Sequence, residues 1–261
     1  MTRTSPRTLP FLGLLLLAAG CNVPQLDLTP RYGVLSIDGE FGASSSNISG
    51  RASLEAAGLD DDEGFPGLRA DVKFGSPHLI LSAGRASWAG SGIADAALDI
   101  GGDTINVNDP VESEFDLNLY QALLVFDMFP TNVAEIALGV GVTGFDYDLL
   151  FRSETTSETI ESDELVPIPV IALNVGAQLG PIEVAGLVSG FSVDYEEFDG
   201  TYIDADLYAR YRILGGKNHL RSSIVLGWRQ IEVEFEYDDD GDLYDADFGI
   251  SGPYLGMEFT L

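Results

Sequence analysis

In the segment TYIDADLYARYRIL, residues 201–214, Ile203, Ala205, Leu207, Ala209, Tyr211 and Ile213 are apolar at every second position, and Tyr202, Asp204, Asp206, Tyr208, Arg210 and Arg212 fill the places between. A period of two is the period of a β-strand, whose successive side chains point to opposite faces. GLRADVKF, residues 67–74, repeats the pattern, with Leu68, Ala70, Val72 and Phe74 set against Arg69, Asp71 and Lys73. The alternation recurs along the chain and helical periodicity hardly appears, so the fold class is all-β. A soluble sandwich alternates in the same way with its polar face toward water, which leaves the architecture open at this point.

Turn signals narrow it. Short links stand at 74–79, 128–133, 179–182 and 214–219, and longer acidic excursions at 57–66, 96–112, 152–164, 194–201 and 236–247. Short turns at one end and long loops at the other are the mark of transmembrane barrels. Four short turns and five long loops join ten strands, at about 33–43, 67–75, 78–96, 111–128, 133–151, 165–179, 182–195, 201–214, 218–236 and 247–261. Eight or twelve strands remain open, with the serine-rich piece 44–56 a candidate extension. Several runs exceed the roughly 9–11 residues that cross a bilayer, and the excess is expected to project as hairpins. In the ninth run the apolar phase changes from Ile224, Leu226 and Trp228 to Ile231, Val233 and Phe235, which reads as a bulge or as emergence from lipid near Arg229.

The chain stops at YLGMEFTL, where Leu255, Met257, Phe259 and Leu261 share one face. This resembles the C-terminal signature of bacterial outer-membrane β-barrels, which the barrel-assembly machinery reads. The resemblance covers residues 32–261 and is to small barrels of the OmpA and OmpW type. It implies an antiparallel up-and-down transmembrane β-barrel with short periplasmic turns and long acidic extracellular loops, with outer-membrane lipid and the assembly machinery as partners.

At the other end, Arg3 and Arg7 precede an apolar run from Phe11 to Leu17, too short for a membrane-spanning helix and suited to a secretory signal. Residues 1–20 are expected to be that signal. The run closes on Ala18, Ala19, Gly20 and Cys21, which resembles the lipobox of bacterial lipoproteins and implies a lipid thioether on Cys21, the single cysteine of the chain. Cleavage of an ordinary signal near a cysteine is the alternative. Residues 21–31, with Pro24 and Pro30 as breakers, read as a lipidated N-terminus and tether. Asn22 is not the Asp that retains many lipoproteins in the inner membrane, so the expected location is the outer membrane with a periplasmic N-terminus.

Against 13 basic residues stand 42 acidic ones, and a net charge of −29 argues against a nucleic-acid partner. Mean hydropathy is nevertheless positive, at +0.13. So much acid in so apolar a chain requires segregation, with apolar surface in one band and carboxylates elsewhere. Acid excess with few lysines also suits a high-salt habitat, where counterions screen self-repulsion.

Candidate chemistry is sparse. Barrel enzymes of the outer membrane, including lipid A acylases and deacylases, phospholipases and omptin proteases, need a histidine near the outer rim. His78 and His219 both fall at short turns, the periplasmic end, and read as turn or interfacial residues. EYDDDGDLYDAD, residues 236–247, resembles an EF-hand-type calcium loop through Glu236, Asp238, Asp240, Asp242 and Asp247, with Glu in the first place and Asp in the last. A solvated acidic hairpin tip is the simpler reading, and Asp60, Asp61, Asp62 and Glu63 form a second such cluster. Arg69, Asp71, Lys73, Asp204, Asp206, Arg210 and Arg212 are the expected lumen charges, of both signs and so more apt to pair and fill a narrow barrel than to line a pore. Trp88, Trp228, Tyr195 and Tyr208 are candidates for aromatic girdles, Tyr208 sharing a face with lumen residues.

The functional expectation is non-enzymatic: a narrow channel or binding barrel for small hydrophobic or polar solutes, or a structural and surface-interaction protein, with no cofactor except calcium at the acidic loops. Two alternatives stand beside it, a lipid-modifying enzyme and a soluble lipocalin-like barrel held by lipid on Cys21.

Overall fold

The computed structural model describes residues 24–44, 50–100, 103–128, 131, 133–156, 159–195, 198–215, 221–239 and 242–261. Residues 1–20, expected to be a signal, and Cys21, Asn22 and His219 lie outside the described residues. Ten long strands form the wall: β1 (Gln25–Ser44), β3 (Glu63–Lys73), β4 (Pro77–Ile93), β7 (Pro110–Asp127), β8 (Ala134–Ser153), β9 (Thr159–Leu179), β10 (Ile182–Tyr195), β11 (Phe198–Leu214), β12 (Arg221–Asp239) and β13 (Asp242–Thr260). Each pairs antiparallel with the next, and β13 pairs back onto β1, so the sheet closes. Three short strands, β2 (Arg51–Ser53), β5 (Leu98–Ile100) and β6 (Asp103–Ile105), decorate the long-loop end. The last residue takes part in closure: Leu261 donates its amide to the Leu26 carbonyl at 2.8 Å.

The wall has two tiers. Along β12 the outward residues run Ile224, Leu226 and Trp228, all exposed, and then Gln230, Glu232, Glu234 and Glu236. Inward residues on the same strand run Val225 and Arg229, then Ile231 and Val233. Polarity inverts on both faces at one level, while the register with β11 and with β13 passes through it unbroken. The phase change near Arg229 is therefore emergence from lipid and not a bulge. β1 repeats it, with Tyr32 and Val34 outward and Arg31 inward below the boundary, and Asp38 and Glu40 outward and Leu35 and Ile37 inward above it. A wall facing hydrocarbon must be apolar outside; a wall standing in water can be acidic outside and must find its core within.

Several sequence expectations are corrected. The first strand starts at Gln25 and not near 33, so most of the expected tether is strand, and Pro30 pairs with Leu68 of β3. The break it causes is local: the β13 register carries Leu28 and Arg31 but skips Thr29 and Pro30. The acidic segments 152–164, 194–201 and 236–247 are strand almost to their tips. Trp88 is no girdle residue, because it points into the upper tier, 1 % exposed, with its ring 5.8 Å from that of Phe115. Tyr208 is likewise buried inward. Trp228, Tyr32 and Tyr120 are outward and exposed just below the tier boundary, where a girdle belongs. The side chain of Tyr195 lies outside those described.

The connection from β1 to β3 folds back over the rim. Leu54, Ala57 and Leu59 are buried, Leu54 donates its amide to the Gly39 carbonyl (3.0 Å), and Ile93 of β4 donates to the Ala56 carbonyl (2.9 Å). Glycine makes this approach feasible. Gly58 has φ +86°, and a Cβ on Gly90 would collide with the Gly58 carbonyl oxygen.

Candidate functional site

The lower-tier lumen is filled by ion pairs. From β12, Arg229 forks onto Asp204 of β11, Nε to Oδ1 at 3.0 Å and Nη2 to Oδ2 at 2.8 Å. From β1, Arg31 donates to Asp206 Oδ2 at 2.7 Å, and Tyr254 of β13 donates to Asp206 Oδ1 at 2.6 Å. Arg69 of β3 approaches both Asp206 (4.0 Å) and Asp71 (3.9 Å). Gln121 of β7 donates to Asp204 Oδ2 (3.2 Å) and Ser189 (3.0 Å). These charges are buried, and each carboxylate oxygen of Asp204 and Asp206 has a donor, the condition under which buried ions are tolerated. The guanidinium of Arg31 lies 5.2 Å from the Tyr254 ring centroid and that of Arg229 5.6 Å from the Phe65 centroid, which closes the remaining space with rings. The void left between Arg31, Arg69, Gln121, Asp204, Asp206 and Arg229 is about 10 Å³, at the lower limit for a single water.

Of the expected lumen charges, Arg69, Asp71, Asp204 and Asp206 meet in this plug. Arg210 sits nearer the short turns, paired with Glu258 (3.1 Å) and Glu183 (3.4 Å). Lys73 points to Asp27 (4.0 Å). Arg212 departs from the expectation: it is exposed at the short-turn end, where the β11–β12 register slips between Arg212 and Leu214. Arg31, Gln121, Arg229 and Tyr254 are plug residues that sequence reasoning does not select.

Above the plug the upper tier surrounds a half-open chamber of about 590 Å³. Its wall is mostly aromatic and aliphatic: Ile37, Phe41, Phe115, Phe145, Tyr202, Val233 and Phe248 are among the residues that line it, with Leu54 contributed by the folded-back connection. Phe248 joins two other rings, its centroid 6.0 Å from that of Phe115 and 5.8 Å from that of Phe145. The volume falls within the range of about 300–1,000 Å³ typical of small-molecule pockets.

The chamber wall is split on one side. Pairing between β9 and β10 runs from Leu179↔Ile182 to Ile171↔Gly190 and stops there. Above that level β9 stays paired to β8 as far as Thr159, and β10 to β11 as far as Tyr195. Pro167 and Pro169 explain the parting. Backbone donors of alternate residues point to the same edge of a strand, and proline has none, so two prolines at this spacing strip two donors from one edge. Pairing to β8 survives through both, and the edge toward β10 is the one left open. Val166, Ile168, Phe191 and Val193 flank the seam and line the chamber.

The segment 236–247 is not a twelve-residue loop. Glu236 pairs with Asp245, Asp239 with Asp242, and only 240–241 lie between the strands. Glu236 and Asp247 are exposed, and the side chains of Asp238, Asp240 and Asp242 lie outside those described. Asp60, Asp61 and Asp62 are exposed. The C-terminal face stands as an outward stripe, with Leu255 and Met257 exposed, Phe259 half-buried and Leu261 exposed beyond the strand.

No protein-family profile and no curated protein sequence matches the chain. Among solved structures, the outer membrane protease OmpT from Escherichia coli is similar over 91 % of this chain and 97 % of its own, with a TM-score of 0.59 at 8 % identity. The outer membrane protein OprG from Pseudomonas aeruginosa aligns over 91 % and 95 %, with a TM-score of 0.41 at 10 % identity. The β domain of the Bordetella autotransporter BrkA aligns over 92 % and 99 %, with a TM-score of 0.40 at 11 % identity. At these identities the likeness to OmpT is one of fold. The chain has the fold of the bacterial outer-membrane β-barrels.

Proposed function

We propose that this protein is a non-enzymatic binding barrel of the bacterial outer membrane that takes a small apolar molecule into the upper-tier chamber. The observation that carries the reading is the pairing of an apolar chamber of about 590 Å³ with a plug whose residual void is about 10 Å³. A through-channel needs a continuous polar path, and the plug interrupts it. The split between β9 and β10 gives the chamber a side opening at the level where the outer wall turns from apolar to acidic, so an apolar solute gathered at the lipid boundary reaches it without crossing the charged rim. Lipid modification or proteolysis is the weaker reading, since His78 lies at the opposite end of the barrel from the chamber.

The lipid anchor belongs to the same proposal. Cys21 precedes Gln25 by four positions, and Gln25 pairs with Lys73 beside a short turn, so a lipid on Cys21 would lie at the short-turn, periplasmic end. Calcium at the acidic tip of the β12–β13 hairpin, residues 236–247, is a further proposal; the register sets Glu234 opposite Asp247 and Asp239 opposite Asp242, where a divalent ion would relieve their repulsion.

The test is isothermal titration of nanodisc-embedded protein with alkylbenzenes of increasing chain length, corrected for empty nanodiscs. Saturable one-to-one binding with a negative heat-capacity change and a size ceiling supports the reading. It should be weakened, and the size ceiling lowered, by Val233→Phe, which narrows the chamber. Heat no larger than that of the empty discs, or binding that Val233→Phe leaves unchanged, sinks it.

A further inference from the structure

We propose that His78, Asp127 and Glu135 form a zinc site in the short-turn mouth of the barrel. The three residues come from three consecutive wall strands, β4, β7 and β8, and alternate with lumen-facing neighbours: His78 precedes Ile80, Asp127 follows Val125, and Glu135 precedes Ala137. Their registers, His78↔Val125 and Asp127↔Ala137, place them at one level. His78 Nε2 lies 3.3 Å from Asp127 Oδ2, and His78 Nδ1 lies 3.9 Å from Glu135 Oε1. One ligand atom from each residue falls within 4.8 Å of the others. Zinc bonded at about 2.0–2.2 Å spaces tetrahedral ligands by roughly 3.3–3.6 Å, so the three side chains draw together by about 1 Å around the ion and water takes the fourth position.

Unpartnered atoms point the same way. His78 is 3 % exposed, and its Nδ1 has no hydrogen-bond partner; Asp127 Oδ1 has none either. At 3.9 Å the contact from Nδ1 to Glu135 is too long for a hydrogen bond, and a buried imidazole nitrogen without a partner is costly unless something else takes its lone pair. Asn174 of β9 donates Nδ2 to Glu135 Oε1 at 3.3 Å, which fixes the carboxylate as second-sphere donors fix metal ligands. Lys73, opposite His78 in the β3–β4 register, directs its ammonium to Asp27 at 4.0 Å and offsets part of the negative charge. One imidazole nitrogen with two carboxylates selects zinc over calcium or magnesium, which prefer oxygen alone. Bound there, the ion ties three strands together below the plug, at the mouth where the turns are shortest.

The experiment is calorimetric titration of the nanodisc-embedded protein with zinc chloride, in millimolar magnesium to occupy the surface carboxylates. Cobalt absorption in the visible range serves as a second readout. Wild type is expected to bind one equivalent of zinc and to give a tetrahedral cobalt spectrum. His78→Gln, which keeps the side-chain volume, should lose both while retaining its β-sheet circular dichroism, and Asn174→Ala should weaken binding by about tenfold. A wild-type protein without a saturable zinc site overturns the proposal. So does a folded His78→Gln variant that still binds one equivalent.

Discussion

Arg229 stands directly opposite Asp206 in the β11–β12 register, yet its guanidinium forks onto Asp204, two residues further up the strand, at 2.8 and 3.0 Å. Asp206 is already held by Arg31 from β1 and Tyr254 from β13. The diagonal pairing is what distributes three arginines over the carboxylates of the lower tier and closes the lumen.

Removing one member of that pair should cost more than removing both. Asp204→Ala leaves Arg229 buried without its partner, and a loss of about 3–5 kcal/mol is expected. Asp204→Ala combined with Arg229→Leu should recover much of it. Urea unfolding of the four proteins of the cycle, in detergent or lipid, measures the coupling; additive effects would show that the pair is solvated and the plug loose.

The level of the tier boundary has its own signature on the outer face. Leu226→Arg puts a charge on the lipid-facing wall and should destabilise by about 2–4 kcal/mol. Glu232→Arg, on the same face of β12 but in the acidic upper wall, should shift stability by no more than about 0.5 kcal/mol. Unfolding of both variants in lipid vesicles measures the difference, and equal costs at the two sites would place the membrane boundary elsewhere.

Pro167 and Pro169 hold the seam open by withholding donors. Replacing both with Thr supplies two N–H groups and a strand-favouring side chain, so β9 should pair with β10 above Ile171. Hydrogen exchange of residues 191–195 should slow, and exchange of a chamber ligand should slow with it. Faster ligand exchange would place the route of access at the rim.

The folded-back connection depends on two glycines in contact. Gly90→Val would drive a side chain into the Gly58 carbonyl and lift residues 54–59, taking Leu54 out of the chamber wall. Limited proteolysis within 51–62 and weaker alkylbenzene binding are the expected results, with the barrel's circular dichroism intact.

The strand count and the lower-tier charges are legible in the sequence because period-two alternation reports which residues share a face. Arg69, Asp71, Asp204 and Asp206 follow from it directly. Arg31 does not, since Pro30 reads as a breaker, whereas the strand tolerates it by skipping two positions of one ladder. Arg229 is hidden at the inversion itself, where apolar residues change faces and the pattern looks like a slip. Trp88 misleads for the same reason: above the boundary the apolar face is the inner one. The chamber is not legible at all. It needs the closure of β13 onto β1 and the parting of β9 from β10, long-range pairings that no local window contains. His78 carries the right phase in sequence, but Asp127 and Glu135 reach it from another hairpin, β7–β8.

Occupancy of the chamber is read through the two tryptophans of the chain. Trp228 faces lipid and Trp88 lies in the upper tier beside Phe115, a chamber residue. In a Trp228→Phe protein in nanodiscs, Trp88 fluorescence is titrated with bromobenzene, a heavy-atom quencher small enough for the chamber. The expected result is saturable quenching that is competed by toluene and weakened in the added Val233→Phe background. Quenching that rises linearly with bromobenzene, or that is unchanged by Val233→Phe, would contradict it.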